Sequence, residues 1–287
     1  MKPSARTVFV TGCSTGIGRA TALLLAERGF RVFAGLRGEQ QAAELVSAAH
    51  GNLTTLLLDV TEDAQIASAV ETIQAASPEG LHALVNNAGV GLAAATVLTT
   101  PEELRHLFEV NAIAPLRMIR HCLPLLRKTH GRIVNVSSMN GTQALPMVGA
   151  YSASKFALEA LTDTLRVELR PWRISLTLIR PGQVRTPIFT KAREQIDKRR
   201  DKIPAELLPT YGEFYRLGAE FNERGAKSRT SPEHVARVIL RALNAHWLRV
   251  HYHVGLDAHG MNLLRYVHPK LVDRVLARVM GLFKPVD

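Results

Sequence analysis

Short apolar runs alternate along this chain with longer stretches whose apolar residues recur every three or four positions. The runs are residues 7–11, 31–35, 54–58, 83–86, 132–136, 174–179 and 248–252. Their near-continuous apolar character predicts strands buried on both faces, as in a parallel sheet. The segments 18–28, 64–76, 101–128 and 150–170 are amphipathic at helical period. Helices following strands, with right-handed crossovers, predict an α/β fold: one doubly wound domain over residues 1–287, a seven-stranded parallel sheet with helices on both faces.

The longest interruption lies between the sixth and seventh strands, at about 186–228, and carries Phe189, Tyr211, Phe214, Tyr215 and Phe221. Its length predicts a substrate lid. A turn-rich stretch at 254–260 leads into a C-terminal helical tail at about 259–287, patterned as a helix from about Pro269 to Leu282. There apolar positions stand beside Lys270, Arg274 and Arg278. Two readings follow: an interfacial membrane helix, or packing against the body or a second subunit.

Composition narrows the partners. The 287 residues carry a formal charge of +11. That excess favours a phosphorylated cofactor, an acidic membrane surface or nucleic acid. No nucleic-acid recognition motif is present, and acids such as Glu194, Asp197 and Asp201 interrupt the basic segment, so nucleic acid is set aside. The only cysteines, Cys13 and Cys122, form no disulfide or zinc pattern, and the histidines show no ligand spacing. No metal is expected, and a reducing cytoplasm fits. The opening MKPSAR lacks the apolar core of a signal peptide. Stretches 80–101 and 133–154 hold no Asp, Glu, Lys or Arg, yet are too polar to span a bilayer.

The sharpest chemical signal is TGCSTGIG, Thr11 to Gly18, between the first strand and the first helix. That context suits a phosphate cradle at a helix N-terminus. Gly12 permits a tight turn, Gly16 a close approach to a pyrophosphate, and Gly18 close packing of helix on strand. The four-then-two spacing of the glycines leaves room for Ser14 and Thr15 hydroxyls to reach phosphates.

This TGxxxGIG form, with Ile17 between the last glycines, resembles the short-chain dehydrogenase/reductase family of the classical type, whose domain is Rossmann-type. Further motifs follow in order. Asp59-Val60 closes the third strand; the resemblance implies adenine contact, while a helix cap before Thr61 is the plainer alternative. Asn86-Asn87-Ala88-Gly89 matches NNAG and implies a wall beside the cofactor. Asn111 implies a bent helix and a water for proton relay. Ser137-Ser138 ends the fifth strand, and Ser138 fits the family spacing to Tyr151. Tyr151 and Lys155 match YxxxK. Pro181, Gly182, Val184 and Thr186 match PGxVxT and imply nicotinamide contact. The likeness is strong over residues 5–190; beyond Thr186 only the layout agrees.

The resemblance implies an alcohol/carbonyl oxidoreductase (EC 1.1.1.-) with Asn111, Ser138, Tyr151 and Lys155 as the catalytic set. Tyr151 and Lys155 are four apart and share a helical face. A free phenol titrates near ~10, and a neighbouring ammonium draws it toward working pH. Lys155 also holds the nicotinamide ribose. After the second strand, Leu36 stands where an NAD enzyme carries an acid, and Arg37 suits a phosphate, so NADP(H) is expected.

Met147, Phe189 and Phe214, with Ser138 and Tyr151, are the expected substrate contacts. TGCSTGIG, the Leu-Arg pair and YSASKFALE resemble the hydroxysteroid/retinol dehydrogenase branch, which implies a bulky apolar substrate. Family membership also implies a homodimer or homotetramer built on the helices carrying Asn111 and Tyr151. The competing reading is a dinucleotide-binding regulatory or scaffold protein without turnover; the intact catalytic set argues against it.

Overall fold

The structure is a computed structural model that describes residues 6–264 and 266–282. Residues 1–5, most of the opening MKPSAR, and 283–287, the end of the predicted tail, lie outside the described residues.

Seven strands form the sheet: β1 (Thr7–Thr11), β2 (Arg31–Leu36), β3 (Leu53–Leu57), β4 (Ala83–Asn86), β5 (Arg132–Val136), β6 (Ser175–Pro181) and β7 (His251–Val254). All neighbours pair in parallel, in the order β3-β2-β1-β4-β5-β6-β7. The chain leaves β1 in one direction and returns from β3 to the other side of β1 at β4. The crevice above β1 and β4 is therefore the topological switch point, where open α/β sheets hold ligands.

Alternation along the strands feeds a core on each face. Val8 and Val10 point to one side and pack with Leu25, Val235 and Ile239. Phe9 points to the other and packs with Ile73, Met118 and Cys122. The first layer holds α1 (Gly16–Glu27), and the second α3 (Asp63–Ala76). Between them in sequence, α2 (Glu39–Ser47) is a helix absent from the sequence reading, with Leu45 as its one buried residue.

The predicted continuous helix 101–128 is broken. It consists of α4 (Pro101–Phe108), a π turn (Glu109–Ile113) and α5 (Ala114–Thr129). Thr100 caps α4 reciprocally with Glu103. The long α6 (Gly149–Glu168) follows β5.

The predicted interruption is two helices, α7 (Pro187–Arg200) and α8 (Leu208–Ala226). They build a third apolar cluster of Met147, Ile196, Phe214, Tyr215, Ala219 and Met280. A further unpredicted helix, α9 (Pro232–Asn244), starts where Ser231 Oγ accepts from His234 N–H at 3.3 Å.

The stretch 254–260 is mostly helix rather than turn: α10 (Leu256–Leu264) begins there, with Asp257 in its first turn. The last helix, α11 (Pro269–Val279), ends three residues before the predicted limit of Leu282. Among the described residues, no helix is long and apolar enough to cross a membrane.

Candidate active site

The switch point is lined by the glycine loop. Gly12 has φ +71°, and a Cβ there would lie 2.7 Å from Ala88 Cα. The first motif and the NNAG turn therefore meet backbone to backbone. A Cβ on Gly18 would lie 2.2 Å from the Gly12 carbonyl oxygen, so α1 can sit on the loop only with glycine there. Thr11 Oγ1 accepts from the Asn87 and Ala88 N–H groups, both at 3.0 Å. Asn87 Nδ2 donates back to the Thr11 and Gly12 carbonyls at 2.9 and 3.2 Å.

At the head of α1, Thr15 is extended and makes no side-chain cap, and no acid stands in the first turn. Unpartnered N–H groups at a helix start suit an anion. Cys13 is buried in the same loop, and its thiol is pushed far up by burial.

At the far end of the crevice Arg37 is exposed and lies 3.7 Å from Asp59. Burial works to raise the Asp59 carboxyl, but hydrogen bonds from Thr61 and the nearby Arg37 outweigh it and hold it low. Thr61 N–H and Oγ1 donate to Asp59 Oδ1 at 3.0 and 2.8 Å, a local turn ahead of α3; the cap position of α3 is Glu62, with no side-chain cap, so Asp59 is not the helix cap of the plainer alternative. Val60, next to it, is buried. Glycines where side chains would collide and an uncapped helix start together fit a dinucleotide.

The residues expected to handle the proton gather at the other end. Asn111 is fully buried in the π turn. Its Oδ1 accepts from Val90 N–H, and its Nδ2 donates to the Val90 carbonyl, both at 2.9 Å. Nδ2 also donates to Ser154 Oγ at 3.0 Å, and Ser154 Oγ donates to the Tyr151 carbonyl at 2.7 Å. The π turn thus carries Asn111 across to the helix that bears Tyr151. Ser154 was missed in the sequence because nothing in YSASK separates it from a filler position.

Lys155 Nζ donates to the Val136 carbonyl at 3.0 Å and lies 6.0 Å from the Tyr151 ring centroid. A Cβ on Gly89 would lie 3.2 Å from Asn111 Oδ1 and 3.7 Å from Lys155 Nζ, which places the NNAG turn over both. Ser138 Oγ accepts from Asn140 N–H at 3.1 Å. Ser137 Oγ, one residue earlier, is buried without a hydrogen-bond partner.

The phenol differs from expectation. Burial raises the Tyr151 pKa, and hydrogen bonding with Ser138 only partly offsets this. Burial also lowers Lys155, to about 8, against the opposing pull of Glu159.

The loop 181–186 is held by residues that the sequence reading did not connect to it. Gly182 N–H donates to the Val254 carbonyl at 2.9 Å, and Gln183 N–H to Asp257 Oδ2 at 2.5 Å. Ser228 Oγ donates to the Gln183 carbonyl at 2.5 Å, and Arg185 N–H to the Thr230 carbonyl at 3.0 Å. Pro181 and Val184 are buried, and the Thr186 side chain faces Gly16, where a Cβ would lie 3.1 Å from its Cγ2. The PGxVxT motif therefore touches the glycine loop.

Of the expected substrate contacts, Met147 and Phe214 lie in the third apolar cluster, 5% and 3% exposed. Met147 adopts φ +69°, a left-handed conformation uncommon for a side chain of its size. Phe189 is half-buried and packs on Gly225, where a Cβ would lie 2.4 Å from its ring.

Three comparisons bear on this site. The profile of the family described as short chain dehydrogenase matches residues 6–197. Human retinol dehydrogenase 5 is 34% identical, over 95% of this chain and 88% of that protein. Rat 17-beta-hydroxysteroid dehydrogenase type 6 is 36% identical, over 94% of this chain and 87% of that protein. A solved short-chain dehydrogenase from Streptomyces avermitilis superposes with a TM-score of 0.77, at 27% identity, over 97% of this chain and 98% of that one.

Proposed function

This chain belongs to the short-chain dehydrogenase family, and on that premise we propose that it is an NADP(H)-dependent oxidoreductase (EC 1.1.1.-) that interconverts a bulky apolar alcohol and its carbonyl, hydroxysteroid- or retinol-like. The observation that carries the reading is the convergence of Ser138, Tyr151, Lys155 and Asn111 beside the glycine loop.

The loop 12–18, Arg37, Asp59, Val60, residues 87–89 and residues 181–186 hold the cofactor, with Ser14, Thr15 and Ile17 among the loop's contacts. The bound nicotinamide supplies the hydride acceptor or donor. Ser138 hydrogen-bonds the substrate oxygen. Tyr151 donates its proton to that oxygen in reduction and removes it in oxidation. Its raised pKa keeps the phenol protonated at neutral pH, the form that serves reduction. Lys155 is mostly charged below about 8 and holds the ribose. Asn111 orders the path by which the proton is replaced.

The α7–α8 segment acts as the lid, and Met147, Phe189 and Phe214 face the substrate when it opens. The family relatives named for retinol and a hydroxysteroid support the substrate class. The exposed Ile113, Phe156 and Val167 on or beside α5 and α6 suit a homodimer, from which a homotetramer can be built. On α11, Leu271, Val275 and Val279 are exposed in a stripe with Lys270, Arg274 and Arg278 on the adjoining flank. This pattern suits peripheral contact with an anionic membrane by an otherwise cytoplasmic enzyme.

The deciding experiment is cofactor oxidation over a panel of steroids, retinoids and aliphatic ketones, with NADPH and NADH in parallel. NADPH-preferring turnover of apolar ketones, shifted toward NADH by Arg37→Glu, is expected. A clear NADH preference, or turnover confined to small polar sugars, refutes the corresponding part. Removing residues 261–287 is expected to abolish sedimentation with anionic liposomes.

A further inference from the structure

A buried ion pair lies directly behind the catalytic lysine. Glu159 is one helical turn after Lys155, on the same face of α6. Its carboxylate receives Arg180 Nε at 3.1 and 3.2 Å and Arg180 Nη2 at 2.6 Å. The two side chains are 8% and 5% exposed. Arg180 is the residue before Pro181, where the loop 181–186 begins. The same carboxylate borders Gly141, in the turn after Ser138: a Cβ there would lie 3.1 Å from Glu159 Oε1. One side chain thus touches or neighbours the lysine, the serine turn and the nicotinamide loop.

A buried ion pair is weak evidence for stability, because desolvation of both charges offsets their attraction. The position of this one asks for another explanation. We propose that Glu159 is a positioning residue of the active site, which keeps Lys155 charged and, through Arg180, sets the loop 181–186 against the catalytic helix. The consequence for turnover rests on the oxidoreductase reading; the effect on Lys155 does not.

The surroundings agree. Lys155 faces Tyr151 and Glu159 on its own helix, the Val136 carbonyl on β5 and Asn111 across the NNAG turn. Burial drives Lys155 down, and Glu159 is the charged group that opposes this. On the far side of Arg180, His251 of β7 is driven down to about 4, first by burial and then by Arg180, with Asp163 acting in the opposite sense and Arg166 and His253 adding to the fall. His251 is therefore neutral at working pH and does not compete for the carboxylate.

The test is an NMR titration of Lys155 in the full chain without cofactor, with ¹³C-labelled lysine and the resonance assigned by Lys155→Met. Glu159→Gln is expected to move the Lys155 midpoint down by roughly one pH unit or more. Glu159→Asp is expected to stay within about half of that shift. Where Glu159→Gln does not fold, the double variant Glu159→Leu with Arg180→Met replaces the pair by apolar groups, and its midpoint is also expected to fall. In turnover, the alkaline limb of kcat/KM is expected to move to lower pH with the midpoint. An unmoved midpoint in whichever of these two variants folds, or a pH-independent loss of turnover, overturns the proposal. Absence of turnover in every protein, with the midpoint shifted, would instead count against the oxidoreductase reading alone.

Discussion

The crevice above β1 and β4 and the α7–α8 segment border the same site but are held by different forces. Around the crevice, backbone meets backbone. Gly12 packs against Ala88, Gly18 against Gly12, and Asn87, Asn111 and Lys155 are fixed by hydrogen bonds to main-chain carbonyls. In the α7–α8 segment a separate apolar cluster, including Phe214, Tyr215 and Met147, sits under a charged surface of pairs such as Arg193 with Asp197 and Arg216 with Glu213. The first arrangement has few alternatives of similar energy. The second packs around a core distinct from the two that line the sheet, which suits the proposed lid. On the proposed function, rigid geometry would serve the proton and the dinucleotide, and a separable cover would serve entry of a bulky substrate.

The strongest challenge to this contrast is Tyr151→Phe. Loss of the hydroxyl is expected to lower kcat by about 10³-fold, while NADPH affinity by fluorescence titration stays within twofold of the parent by the same order-of-magnitude reasoning. Retained turnover would place the chemistry elsewhere.

Next is Phe214→Ala. Truncating this buried ring is expected to cost about 3 kcal/mol locally. The readout is limited proteolysis: cleavage within residues 187–226 is expected at temperatures where the sheet stays folded. Simultaneous loss of both regions would show that they are one cooperative unit.

A smaller effect separates the regions electrostatically. Lys155 titrates near 8 in the fold against an ordinary 10.5, so between those values the unfolded chain binds the additional proton. Stability from this group therefore rises with pH across that window, and Lys155→Met is expected to remove the rise in thermal melting profiles. Tyr151, whose pKa is raised, acts in the opposite sense above its ordinary value of 10, which bounds the usable range. Smallest of all, Arg216→Ala is expected to leave the melting temperature unchanged, since its partners Glu213 and Glu220 are solvent-exposed.

The crevice was legible in the sequence for the reason that makes it rigid. Close approaches admit few residue types, so Gly12, Gly18, Asn87 and Gly89 stand in short, ordered motifs. Near-continuous apolar runs and helical period likewise exposed the seven strands and helices such as α1, α3 and α6. Less was visible where pairing spans distance. Glu159 finds Arg180 across 21 residues, and Asp257 reaches Gln183 across 74, separations that no local spacing encodes. Helix α2 leaves little trace because it buries only Leu45. Helix α9 does carry a signal: Ser231-Pro232 at its start, then buried Val235, Val238, Ile239, Ala242 and Leu243 at helical spacing. The depressed Lys155 and raised Tyr151 could not be read from YxxxK, because burial, not spacing, sets their direction.

The wide turn at Glu109–Ile113 has a consequence for how this chain tolerates length changes. A π turn accommodates one residue more than the α-helix on either side, and each residue advances an α-helix by about 100°. Deleting one position there restores a regular spiral and leaves everything downstream in phase with α4, because the wide turn already absorbs the extra residue. Met118, Cys122 and Leu125 would stay buried, whereas Asn111 would lose the placement from which it reaches Val90 and Ser154. A one-residue deletion at 109–113 should therefore spare the packing of the helix and harm the site.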